Sequence, residues 1–157
     1  KAGTPEMKQN KIGYLKVRAD ASSLLGKRFF DTAMAEASNK DYSDMATMVD
    51  DPAKKKEYIF KGAETLREAG KGDLAISSYK ALLEMDPNNA DALYGLGVAY
   101  ASTEATFQDA ADALQSFVDK APNDPRAADA KAVIDALRVG NNIKPKAPAA
   151  RQTRKRG

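Results

Sequence analysis

From residue 57 onward the apolar and small residues repeat along the chain. Ala63 and Gly97 lie 34 residues apart, as do Leu66 and Tyr100; Ala75 and Ala110 lie 35 apart, as do Tyr79 and Leu114, and Pro87 and Pro122. The change from 34 to 35 requires one extra residue between Tyr100 and Ala110, where Thr103 to Phe107 replace a shorter turn. Each unit reads as helix, turn, helix, with small residues where two helices approach closely and a Pro closing the second helix. After the second unit, Asp124-Pro125 to Arg138 reads as one more helix, with Asp at the N-cap and Pro in the first turn. Ala128 and Ala132 keep the phase of Leu93 and Gly97, but Asp135 falls where Tyr100 would be. That pattern predicts a terminal capping helix with a polar outer face.

Upstream the register weakens. Pro5 to Leu25 reads as a long helix with Met7, Tyr14, Leu15, Arg18, Ala19, Ser22 and Leu25 at three- and four-residue spacing, a narrow stripe to bury. Phe29 to Asn39 followed by Asp41 to Val49 reads as a degenerate helix pair, with Asn39-Lys40-Asp41-Tyr42 as its turn and Asp50-Asp51-Pro52 as its stop. Four segments result: 1–28, helical and basic; 29–52, a degenerate pair; 56–138, two repeats and a cap; and 139–157, a basic Pro/Ala-rich tail expected to be disordered. About eight helices are expected, because two repeats alone bury too little surface.

These residues resemble the tetratricopeptide repeat. Ala92 to Tyr100, then Phe107, Ala110, Leu114, Phe117 and Pro122, follow the family's pattern, with Leu93 in place of the usual Trp. The preceding unit, through Ile59, Gly62, Ala63, Leu66, Gly70, Ala75, Tyr79, Leu82 and Pro87, is a looser match. The resemblance implies an all-α fold, a right-handed α-solenoid of antiparallel helix pairs. It also implies a groove, lined by the first helix of each pair, in which peptides or partner proteins lie. Carried over position by position, the groove residues are Glu57, Phe60, Glu64, Arg67 and Glu68 in one unit, and Asp91, Tyr94, Val98, Ala101 and Ser102 in the next. Phe60 and Tyr94 are expected as anchors, and the carboxylates of Glu57, Glu64, Glu68 and Asp91 favour a basic ligand. Repeats that clamp a C-terminal carboxylate carry Lys, Asn and Arg in this groove; here Phe60, Glu64 and Gly95 stand there instead.

Composition narrows the chemistry. The 157 residues include no His, no Cys and no Trp. Without His or Cys there is no Ser-His-Asp triad, no imidazole or thiolate metal site, no cysteine nucleophile and no disulfide. No carboxylate pair stands out as an acid and base, so the chain is not read as an enzyme, and no cofactor or metal is expected. The glycines of 95–100 lack the third glycine and the strand of a dinucleotide fold, and Gly70-Lys71-Gly72-Asp73 lacks the Ser or Thr of a phosphate loop. Asp86 to Asp91 lacks the fifth-position oxygen and the glycine of a calcium loop.

The net charge of +3 conceals a polarised chain: +5 over residues 1–28, −8 over 29–143 and +6 over 144–157. Lys144, Lys146, Arg151, Arg154, Lys155 and Arg156 could neutralise about six phosphates. With no aromatic to stack on a base, nucleic-acid binding by this tail would be sequence-blind. The alternative function is therefore an electrostatic adaptor whose basic ends grip nucleic acid or an anionic surface. An acidic groove could also take the chain's own tail or a neighbour's. No run of 18 apolar residues would span a membrane. Beginning with Lys rather than Met, the chain reads as processed or excised, either cytoplasmic or exported (periplasmic) with its signal removed.

Overall fold

The computed structural model describes residues 3–141 together with Ile143 and Lys144. Among these residues are seven α-helices, one 3-10 turn and no strand: α1 Pro5–Phe29, α2 Thr32–Met48, α3 Pro52–Glu68, α4 Gly72–Met85, α5 Ala90–Tyr100, the turn Glu104–Thr106, α6 Phe107–Lys120 and α7 Ala127–Asn141. The extra residue between the two repeats falls in that 3-10 turn.

The helix starts are set by short polar side chains that satisfy orphan backbone donors. Thr4 accepts from the Met7 N–H ahead of α1, Asp31 from Ala33 and Met34 ahead of α2, Asp51 from Ala53 ahead of α3, and Asn89 from Ala92 ahead of α5. Pro5 and Pro52 occupy first-turn positions, where a missing N–H costs nothing. At the end of α3 the Lys71 N–H reaches back to the Leu66 carbonyl at 2.8 Å, with Gly70 in the left-handed region at φ 81°. Asp86, Asn89 and Asp91, the acidic and amide groups of the loop before α5, are thus a Lys56 partner, an N-cap and an Arg126 partner.

Each helix packs on the next, and α1 also meets α3, and α3 meets α5. The helices α1, α3 and α5 therefore lie side by side in one layer, each flanked by the even-numbered helices on either side of it in sequence, the layout of an all-α solenoid of antiparallel pairs. The central core joins α3 to α6 through Ala63, Leu66, Ala75, Tyr79, Leu82 and Leu96. A second cluster lies between α1, α2 and α3, and a third between α5, α6 and α7. Two glycines let successive pairs approach. A Cβ on Gly62 of α3 would sit 2.5 Å from the Asn39 side chain of α2, and one on Gly95 of α5 would sit 2.4 Å from the Tyr79 ring of α4.

Three expectations change. Residues 32–48 form one helix, not a degenerate pair with a turn at 39–42. Asn39 to Tyr42 contain neither Gly nor Pro, and Ser38, Asp41, Tyr42 and Met45 recur at helical spacing and are buried. The pair is α1 with α2, which gives seven α-helices among the described residues rather than eight. Within α1 the buried stripe is Ile12, Leu15, Ala19, Ser23 and Gly26; Met7, Tyr14 and Leu25 point outward. The smaller residues face inward because α2 passes close by: a Cβ on Gly26 would lie 3.0 Å from the Ala35 nitrogen. Finally, the outer face of α7 is not purely polar, since Val133 and the 89% exposed Val139 lie among Asp129, Lys131 and Asp135.

Candidate partner-binding groove

The layer formed by α1, α3 and α5 carries the expected groove residues, but it does not bring them together as free groups. On α3, Glu64 accepts two hydrogen bonds from Arg67, at 3.1 and 2.8 Å, and a short one from the Tyr79 hydroxyl of α4. Burial raises the Glu64 carboxyl, but the bonds from Arg67 and Tyr79 outweigh it and hold the group below its ordinary value. Burial and the same carboxylate push the Tyr79 phenol well above 10. Glu64, Arg67 and Tyr79 therefore form a half-buried unit that ties α3 to α4. Glu57 pairs with Lys61 at 2.7 Å, and Glu68 with Lys27 of α1 at 2.7 Å. Asp91 pairs with Arg126 at 2.7 Å. All four carboxylates expected to attract a basic ligand thus already hold a cation of this chain.

The two aromatic anchors also differ from each other. Tyr94 packs edge-on against Phe117 at 5.2 Å between ring centres and lies under the Arg126 guanidinium at 4.9 Å. It closes the contact with α6 and the segment before α7. Asp124 fixes Arg126 in turn and is itself held down to about 2 by that guanidinium. Phe60 is half-buried, its ring centre 6.3 Å from that of Tyr79, and keeps an edge open. Val98 is half-buried, and the Ser102 hydroxyl donates to the Ala99 carbonyl at 2.7 Å.

An open depression of about 430 Å³ lies between α1 and α3. Leu24 and Phe60 supply its apolar surface, with Asp20, Lys27, Lys61, Glu64 and Glu68 around them. Its floor is fixed: the Ser23 and Thr65 hydroxyls hydrogen-bond to each other at 2.8 Å, and the Tyr42 hydroxyl donates to Asp20 at 2.5 Å. Asp20, Ser23, Leu24 and Lys27 of α1 escaped the sequence reading, as did Lys61. The sequence signal for them was the small inward stripe Ala19, Ser23, Gly26, which places Asp20, Leu24 and Lys27 beside α3. Of the tail residues, Lys144 is held through its backbone, its N–H and carbonyl meeting the Gln108 amide at 3.3 and 3.1 Å. Lys146, Arg151, Arg154, Lys155 and Arg156 lie outside the described residues.

Residues 60–125 match the sequence profile of the tetratricopeptide repeat family. That segment is similar to tetratricopeptide repeats. Among solved structures, the fold resembles the C-terminal TPR-containing domain of an FK506-binding protein from Plasmodium falciparum. That similarity covers 83% of this chain and 89% of the other, with a TM-score of 0.53 and 21% identity, and it concerns the fold. A comparison with curated proteins returned no match. Tetratricopeptide repeats generally mediate protein–protein interaction, and proteins built from them are typically non-catalytic scaffolds. No described helix is long and apolar enough to cross a membrane.

Proposed function

We propose that the protein is a non-catalytic interaction scaffold that holds a peptide segment of a partner protein in the groove between α1 and α3. The observation that carries this reading is the open depression in which Leu24 and Phe60 sit beside five charged side chains over a floor locked by hydrogen bonds. A preorganised floor lowers the entropic cost of binding, and a half-open aromatic edge gives an apolar anchor a place to lose water. Because Glu57, Glu64, Glu68 and Asp91 each hold an internal cation, the ligand is selected by an apolar side chain between Leu24 and Phe60. Net positive charge is secondary. Lys27, Lys61 and Glu68 then exchange an internal partner for charges on the bound segment, which sets register and specificity.

The test is to select peptides from a random library on the full chain and measure their affinity by fluorescence anisotropy. Phe60→Glu should weaken the selected peptides by tenfold or more, the effect of losing a central anchor of about 2 kcal/mol. Thermal melts confirm that the variant is folded. Unchanged affinity in a folded Phe60→Glu protein would remove the groove from the account.

A further inference from the structure

The helix α1 is apolar on two opposite sides. Ile12, Leu15, Ala19, Ser23 and Gly26 face the solenoid. On the other side Met7, Tyr14 and Val17 are 63%, 63% and 72% exposed, and Leu24, 63% exposed, continues the line toward the rim of the depression between α1 and α3. With Asn10 and Ala21, also exposed, they occupy positions 7, 10, 14, 17, 21 and 24, an alternation of three and four residues. That spacing is the seven-residue repeat of a coiled-coil seam, which keeps one line of contact facing a partner helix at a shallow angle. We propose that this seam pairs with the same seam of a second copy of the chain, with the two α1 helices parallel and in register.

Two features select a second copy over an unrelated helix. Asn10 interrupts an otherwise apolar seam, and a copy in register presents its own Asn10 at that layer, so the two amides satisfy each other. Glu6 and Lys11 flank the seam five residues apart on opposite sides and make no ion pair within the chain among the described residues. In a parallel pair, Glu6 of each copy faces Lys11 of the other. An antiparallel pair would separate Lys11 from Glu6 and set it near Arg18, which Asp41 already holds, so the complementary pair would be lost. The symmetric arrangement is closed, so it gives a dimer and no filament. Leu24 also lines the depression between α1 and α3, so the paired seam borders that depression along one rim.

The sequence has no cysteine, so a single introduced thiol reports the register. Sedimentation velocity of the full chain from about 1 to about 100 µM should show a monomer–dimer equilibrium. Val17→Glu should abolish the dimer while leaving the helical circular dichroism unchanged. Under mild oxidation Asn10→Cys should give a disulfide-linked dimer, whereas Lys54→Cys on α3 should not. A chain that stays monomeric across this range overturns the proposal. So does a disulfide that forms only when Asn10→Cys and Ala21→Cys proteins are mixed, which would mean antiparallel pairing. A monomer that co-sediments with vesicles of phosphatidylcholine and phosphatidylserine would assign the seam to lipid and would overturn the proposal too.

Discussion

The first helix pair and the last three helices use different means to reach the same stacking. In α5, α6 and α7 the contacts are steric and apolar. Gly95 lies under the Tyr79 ring, Gly97 under Leu114, and fully buried Phe117 packs with Leu93, Ile134 and the Tyr94 edge. Between α1, α2 and α3 much of the attachment is polar and directed. Arg18 grips the buried Asp41 carboxylate with two bonds at 2.7 and 2.5 Å, Ser38 donates to the Ala19 carbonyl at 2.9 Å, and Ser23 meets Thr65. Apolar stacking depends on the area and shape of a whole surface, so it forces a periodic choice of residue sizes. A hydrogen bond needs only one matched pair, so it can hold a helix with no repeat in the sequence at all.

That contrast can be broken most severely at the apolar end. Phe117→Ala should cost about 3–5 kcal/mol in urea unfolding, since the side chain is fully enclosed and leaves a cavity. At the polar end, Arg18→Met keeps the length of the side chain but leaves Asp41, 2% exposed, without its cation. The expected loss is about 1–3 kcal/mol, smaller than for a fully buried pair because the Arg18 side chain is half exposed. Asp41→Leu made together with Arg18→Met should recover part of that loss, which the steric end could not do with any polar exchange. The smallest effect is in pH. Glu64 has a folded value below its ordinary 4.5, so its stabilising contribution is complete above 4.5 and is lost as the pH falls through the lowered folded value. Urea midpoints measured between about pH 6 and pH 3 should fall less in Glu64→Gln than in the parent.

The same contrast explains what the sequence disclosed. The repeat from residue 57 to 122 was legible because Gly, Ala, Tyr and Pro must recur wherever helices of similar size stack at similar spacing. Asn39 to Tyr42 looked like a turn because Asn and Asp favour turns locally. Asp41, however, is committed to Arg18 from 23 residues upstream, a contact that no local pattern encodes. The inward stripe of α1 was partly misplaced for a related reason. Leu15 and Ala19 of the expected stripe do face inward, but the large Met7, Tyr14 and Leu25 face outward while small Ser23 and Gly26 are buried, so hydrophobicity alone placed only part of the stripe. At the groove, Phe60 borders the depression, whereas Tyr94 lies under Arg126, which is held by neighbouring Asp124 and by Asp91 from 35 residues upstream. Counting carboxylates along the chain gave an acidic groove; their pairing with Lys27, Lys61, Arg67 and Arg126 neutralises it.

The proposed groove needs α1, which carries no recognisable helix-pair repeat, to complete it beside α3. Hydrogen exchange of the full chain with and without a library-selected peptide tests it directly. Added protection is expected over residues 19–27 of α1 together with residues 60–68 of α3. Protection confined to α5, α6 and α7, with α1 unchanged, would contradict it.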